Sequence, residues 1–97
     1  MPRLRVLQVG EEVVVIICDA ELLGKEFRES KVVLKVDERF YGGEEATVEE
    51  CLKALRKATI ANIVGSMVEK AVQAGLIDPD RVLKVQGIQH AMMVKMK

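Results

Sequence analysis

Three side-chain types that can do polar chemistry occur once each in this 97-residue chain: His90, Asn62 and Tyr41. His90 is the one side chain whose ordinary pKa falls near neutrality, so it could serve as a general acid, a general base or a hydrogen-bonding contact. Spacing places no carboxylate or nucleophile beside it. On an alternating segment with Met92 and Val94 it fits a half-buried structural role as well as a binding one. Asn62, within Ala61-Asn62-Ile63-Val64-Gly65, brings both a donor and an acceptor, which suits a backbone cap or a ligand contact. Tyr41 precedes Gly42-Gly43. A turn that needs positive φ accounts for the two glycines, and the pair lacks the further residues of a nucleotide-binding loop. The Tyr41 ring could still stack on a single base or ring.

The remaining candidates are weaker. Cys18 and Cys51 have no His or Cys at metal-ligand spacing and are too few for a disulfide framework, so no metal is expected and a reducing cytoplasm is the expected setting. Asp19 reads as a helix cap, and Asp78 and Asp80 around Pro79 are too few for a calcium loop. No catalytic constellation emerges. The chain reads as a non-enzymatic protein without a cofactor.

Charge narrows the function classes. Lys and Arg number 15 and so do Asp and Glu, which excludes a strongly cationic coater of nucleic acid. Aromatic residues make up 3% and Trp is absent, so a platform stacking several bases cannot be built. The zero total hides an asymmetry. Residues 1–50 hold seven Lys/Arg against twelve Asp/Glu, or −5, and residues 51–97 hold eight against three, or +5. Lys53, Arg56, Lys57, Lys84, Lys95 and Lys97 could form a local patch that holds a few phosphates.

These residues must be positioned by a single domain spanning 1–97, too short for two cores. The longest apolar run, Val13 to Cys18, is far below the ~20 residues of a membrane helix, and the basic start has no apolar stretch of a secretory signal behind it. Leu4–Val9 and Val13–Cys18 predict a hairpin around Gly10-Glu11-Glu12, and the second run has no polar face, as expected of a central strand. Asp19 to Gly24 predicts one capped helical turn, and Lys31–Val36 a third strand. Thr47-Val48-Glu49-Glu50 is a capping box before a helix whose Val48, Cys51, Leu52, Leu55 and Ala58 share a face. Thr59–Val64 reads as either more helix or a bent connection, with a break near Asn62–Gly65. Ser66 and Glu69 suggest a second capping box, before a helix that ends at Gly75. Val82–Val85 and Gln89–Lys95 predict two closing strands. The expected fold is α+β: a mixed sheet of about five strands with two main helices on one face.

Four segments, CDAELLGKEF, FYGGEEATVEE, ATIANIVG and AGLIDPDRVLKVQGIQHA, together resemble the archaeal family known as domain of unknown function four-two-four. The resemblance runs from about Val6 to Val94. It implies a short cytoplasmic protein predicted to bind RNA, with marked positions at Asp19, Gly24, Tyr41, Gly42, Gly43, Ala61, Asn62, Gly65, Gly75, His90 and Ala91. Gln89 stands where the family has Pro. The expectation is therefore a contact with structured RNA or the translation machinery through Tyr41, Gly42, Gly43, Asn62, Gly65 and His90, with Lys53, Arg56 and Lys57 positioning phosphates. A protein adapter or homodimer, formed through an apolar edge or the terminal Met92, Met93 and Met96, is the alternative.

Overall fold

The apolar run Val13–Cys18 does become a central strand. The computed structural model describes residues 1–95 and shows Val15, Ile16, Ile17 and Cys18 all fully buried. They belong to β2 (Glu12–Asp19), paired antiparallel with β1 (Pro2–Val9) through the two-residue turn Gly10-Glu11. Consecutive side chains of a strand point to opposite faces, so a strand without a polar side needs cover on both.

Cover on one face comes from α2 (Val48–Lys57) and α3 (Met67–Gln73). Cys51, Leu55, Met67, Val68 and Ala71 pack there on Val15, Ile17, Ala61, Ile63 and Ala91. The capping box that opens α2 is present in full: Glu50 N donates to Thr47 Oγ1 at 3.0 Å, and Thr47 N donates to Glu50 Oε1 at 2.9 Å. The opposite face is covered over part of its extent by a separate hairpin, β3 (Glu26–Glu29) and β4 (Val32–Lys35), and by the one-turn helix α1 (Glu38–Tyr41). Leu34, Val36 and Tyr41 meet Ile16, Cys18, Val64 and Val85 in this second core.

The main sheet is completed by β5 (Glu44–Glu45), β6 (Ile60–Val64), β7 (Leu83–Val85) and β8 (Ile88–Val94), in the order β5-β1-β2-β6-β8-β7. The fold is thus α+β with a mixed sheet and two helices on one face. The sheet has six strands rather than about five: Lys31–Val36 lies outside it, β5 joins it at one edge, and Thr59–Val64 is neither helix nor bent connection. Ile60–Val64 is the strand inserted between β2, to which it runs parallel, and antiparallel β8. Chain reversal needs only Ala58 and Thr59. Thr59 Oγ1 accepts from Val13 N at 2.8 Å and fixes the start of β6 against β2.

Two local expectations are also corrected. Lys31–Val36 is one arm of a hairpin, turning through Ser30 at φ 55, and not a lone third strand. Ser66 makes no capping box with Glu69, and Asp19 does not cap the turn that follows it. Instead the Asp19 carboxylate reaches across to Ser66, taking its N–H on Oδ2 at 2.8 Å and its hydroxyl on Oδ1 at 2.7 Å.

Candidate functional site

Strand register decides which side chains share a face. Across the sheet, Arg5 lies opposite Ile16, Ile16 beside Asn62, and Asn62 beside Met92. The next row runs Arg3, Cys18, Val64, His90 and Leu83. Both rows point away from α2 and α3. Asn62 and His90, diagonal neighbours on adjacent strands, therefore project to the same side. Tyr41 arrives on that side from α1, which Asp37 starts by accepting from Arg39 N at 2.8 Å.

The three once-only polar side chains converge. Tyr41 O–H donates to Asn62 Oδ1 at 2.7 Å, and His90 Nε2 lies 3.1 Å from the same oxygen. An amide oxygen has two lone pairs, so it accepts from both when His90 carries its proton on Nε2. That leaves the Asn62 Nδ2 group with two N–H donors, which meet no hydrogen-bond partner among the described residues. Burial pushes the Tyr41 phenol up to about 12, with neighbouring Cys18 adding to the rise and the Asn62 bond opposing it. Burial also lowers His90 from its ordinary 6.5, so the ring is neutral at pH 7. The Cys18 thiol is raised to about 12, chiefly by burial with Asp19 and Glu21 adding, and stays protonated. The centre is uncharged: one rigidly held amide, aimed outward.

Its surroundings are open sheet rather than an enclosed cavity. Next to Asn62 the row Leu7, Val14, Ile60, Val94 is apolar, with Val94 64% and Met92 56% exposed. Phe40 packs edge-on against Tyr41, centroids 4.9 Å apart, and leaves 44% of its own surface to solvent. Arg5 lies in the Asn62 row two strands away, ~10 Å at the usual strand spacing, and donates to the Arg39 carbonyl. The Phe40 ring, the Asn62 amide and the Arg5 guanidinium thus share the side of the sheet that carries this apolar row, and Arg39 lines the adjoining groove along β1. Arg5 and Arg39 carried no signal in the sequence, and Phe40 stood out only as the neighbour of Tyr41 in the segment FYGG. Only the exposure of an aromatic and the strand register reveal them.

The other expected contacts divide. Gly42 and Gly43 stand beside this face, but positive φ does not explain them: Gly42 has φ −74, and neither is among the positive-φ residues. A Cβ on Gly42 would overlap the Glu38 carbonyl oxygen, and one on Gly43 the Leu4 carbonyl oxygen. Gly42 lets the chain leave α1 tightly past that helix's own carbonyl, and Gly43 lets the segment after Tyr41 close onto β1. Gly65 does need positive φ, at 103, and a Cβ there would strike the Asp19 carboxylate. It borders a separate hollow of about 540 Å³ lined by Asp19, Glu21, Ser66, Glu69 and Lys84. Lys53, Arg56 and Lys57 lie on α2, across the sheet from Asn62, so a ligand resting on one face cannot reach both sets. Of the remaining basic residues in the expected patch, Lys95 donates to the Arg56 carbonyl at 2.9 Å, and Lys97, like Met96, lies outside the described residues.

Among the described residues no group of three or more His, Cys, Asp or Glu could hold a metal ion, and no helix is long and apolar enough to cross a membrane. A family model described as "Protein of unknown function (DUF424)" matches residues 7–96. The chain is similar in structure to an uncharacterized conserved protein from Methanopyrus kandleri. That crystal structure has a TM-score of 0.79 at 26% identity, and the match covers 99% of this chain and 94% of the other. No curated protein is significantly similar to this chain.

Proposed function

The chain belongs to the DUF424 family, and from that premise we propose that its Asn62 face binds RNA, taking one unpaired base of a structured RNA such as those of the translation machinery. The observation that carries this reading is the convergence of Tyr41 and His90 on a single oxygen of Asn62. Two hydrogen bonds to one lone-pair pair serve no purpose in the ladder of β6. They fix the amide plane and turn both N–H groups outward, where they match the acceptor edge of a base. Sequence-specific recognition of RNA depends on unstacked bases, read on their edges and stacked on a side-chain plane. Phe40 supplies one such plane, and Arg5 and Arg39 supply cations for adjacent phosphates. With one exposed ring the site takes one base, not a run.

Anisotropy titrations with labelled hairpin RNAs carrying a single unpaired loop base, and with transfer RNA, test this across a salt series. Binding is expected to weaken as salt rises, with a shallow slope because only two or three phosphates are neutralised. Phe40→Ala is expected to lose ~1–3 kcal/mol of binding, the usual worth of one base–aromatic stack, while leaving the fold intact because Phe40 is exposed. No measurable affinity at low salt for any of these RNAs overturns the reading. A protein retained on the wild-type chain but not on Phe40→Ala would replace it with an adapter role.

A further inference from the structure

We propose that the free edge of β1 pairs with the same edge of a second copy of this chain, giving a two-fold dimer with one continuous sheet. The motive is an accounting of backbone groups. β1 is an edge strand except where the two-residue β5 covers it at Arg3 and Leu4. In a hairpin closed by a two-residue turn, the flanking pair exchanges both hydrogen bonds and the pattern then alternates. Val9 therefore bonds to Glu12, and Leu7, Arg5 and Arg3 also turn toward β2. Leu4 and Pro2 turn the other way, and Ala46 N indeed donates to Pro2 O at 3.0 Å. Val6 and Gln8 share that outward direction but lie beyond the reach of β5. Among the described residues their two N–H and two C=O groups have no hydrogen-bond partner.

Self-pairing satisfies all four in one register only. With Leu7 on the dyad, Val6 of each copy faces Gln8 of the other and each pair exchanges two bonds. Centring on Val6 would leave Gln8 facing Leu4, which β5 already occupies. Centring on Gln8 would set Val6 against Gly10, which is in the turn at φ 61. Side chains agree with the chosen register. Leu7 meets Leu7, and Arg5 of one strand faces Val9 of the other, so the Arg5 side chains of the two copies are kept apart on either side of the dyad. The partner strand turns away at Gly10, before it would collide with β5. A groove of about 810 Å³ along Leu4–Leu7, walled by Glu38, Arg39 and Gly43, opens on this edge and can admit the partner's Val9, 60% exposed in the single chain. Val6, 53% exposed, is covered as well. A perpendicular dyad keeps both Asn62 faces on the same side.

The edge is short of a standard interface of about 1,600 Å², so association is expected to be weak and to show at high protein concentration. Sedimentation equilibrium up to millimolar full-length chain should give a monomer–dimer equilibrium. Leu7→Cys should crosslink to itself under mild oxidation, because residues opposite at a dyad lie within disulfide reach, whereas Val9→Cys should not. Val6→Lys, which puts a charge on the edge without touching the ladder to β2, should return the chain to a monomer with an unchanged thermal transition. A chain that stays monomeric at millimolar concentration with no Leu7→Cys crosslink overturns the proposal. So does a dimer that survives Val6→Lys or crosslinks at Val9→Cys as readily as at Leu7→Cys. None of these readouts involves RNA, so the outcome is independent of the Asn62 reading.

Discussion

Asn62 holds its neighbours as much as they hold it. Asn62→Ala would strand the Tyr41 hydroxyl and a ring N–H of His90 in a half-buried setting. Its expected cost is ~1–3 kcal/mol for each group left unsatisfied. Tyr41→Phe removes only one partner, and its expected cost is ~0.5–1.5 kcal/mol. Urea unfolding of the two variants checks the order. His90 sets a pH dependence of known sign. Its folded-state pKa lies below the unfolded value of 6.5, so around and below that value the unfolded chain binds the proton more readily. The stability His90 contributes is complete above pH 6.5 and is lost as pH falls through its lower folded value. The wild type should therefore lose melting temperature between pH 7 and 5 by more than His90→Gln does. Two glycines give a matched comparison. Gly65→Ala forces a side chain onto φ 103 and into Asp19, and should cost more than ~2 kcal/mol. Gly75→Ala meets only its φ of 75 in open space, and should cost nearer ~1 kcal/mol.

At the scale of elements, α2 was the most legible and β6 the least. The capping box Thr47–Glu50 is a local device, complete within four residues, so the sequence declares it outright. Thr47→Ala should cost ~1 kcal/mol in chemical denaturation. The alternation of Ile60, Asn62 and Val64 against Ala61 and Ile63 is equally present in the sequence. But Leu55, Ala58 and Ala61 also extend the helical stripe of α2, and the turn between the two elements carries no Gly or Pro. What settles the matter is tertiary: β2 offers a parallel edge, and Thr59 locks onto Val13. Gly42 and Gly43 failed as turn signals for a related reason. The atoms that exclude their Cβ belong to Glu38 and to Leu4, the latter far away in sequence. The once-only Tyr, Asn and His were legible as odd residues, but not as one centre. Their meeting depends on the register of β6 against β8.

At the scale of the whole molecule, strand order divides the sheet but does not segregate the charge. β5, β1 and β2 come from residues 1–50 and β6, β8 and β7 from residues 51–97, yet α2 with Lys53, Arg56 and Lys57 packs over β1 and β2, and the β3–β4 hairpin of the acidic half packs on β7. The basic residues of α2 lie on the helical side. If RNA rests on the Asn62 face, Lys53, Arg56 and Lys57 changed together to Ala should leave its affinity close to wild type, while Arg39→Ala should weaken binding and flatten its salt dependence. The same titrations, run on these two variants, decide it.

The position of β6 has a consequence in time. Its strand neighbours are drawn from widely separated parts of the chain: Val13 and Thr59 are 46 positions apart, and Asn62 and His90 are 28 apart. Hairpins such as β1–β2 close locally within microseconds, whereas a strand gathered from both ends must wait for long loops to close. During synthesis, which proceeds from the N-terminus, β1 and β2 can pair early. The Asn62 centre cannot exist until the segment bearing His90 has been made, so in a nascent chain it forms well after the β1–β2 hairpin.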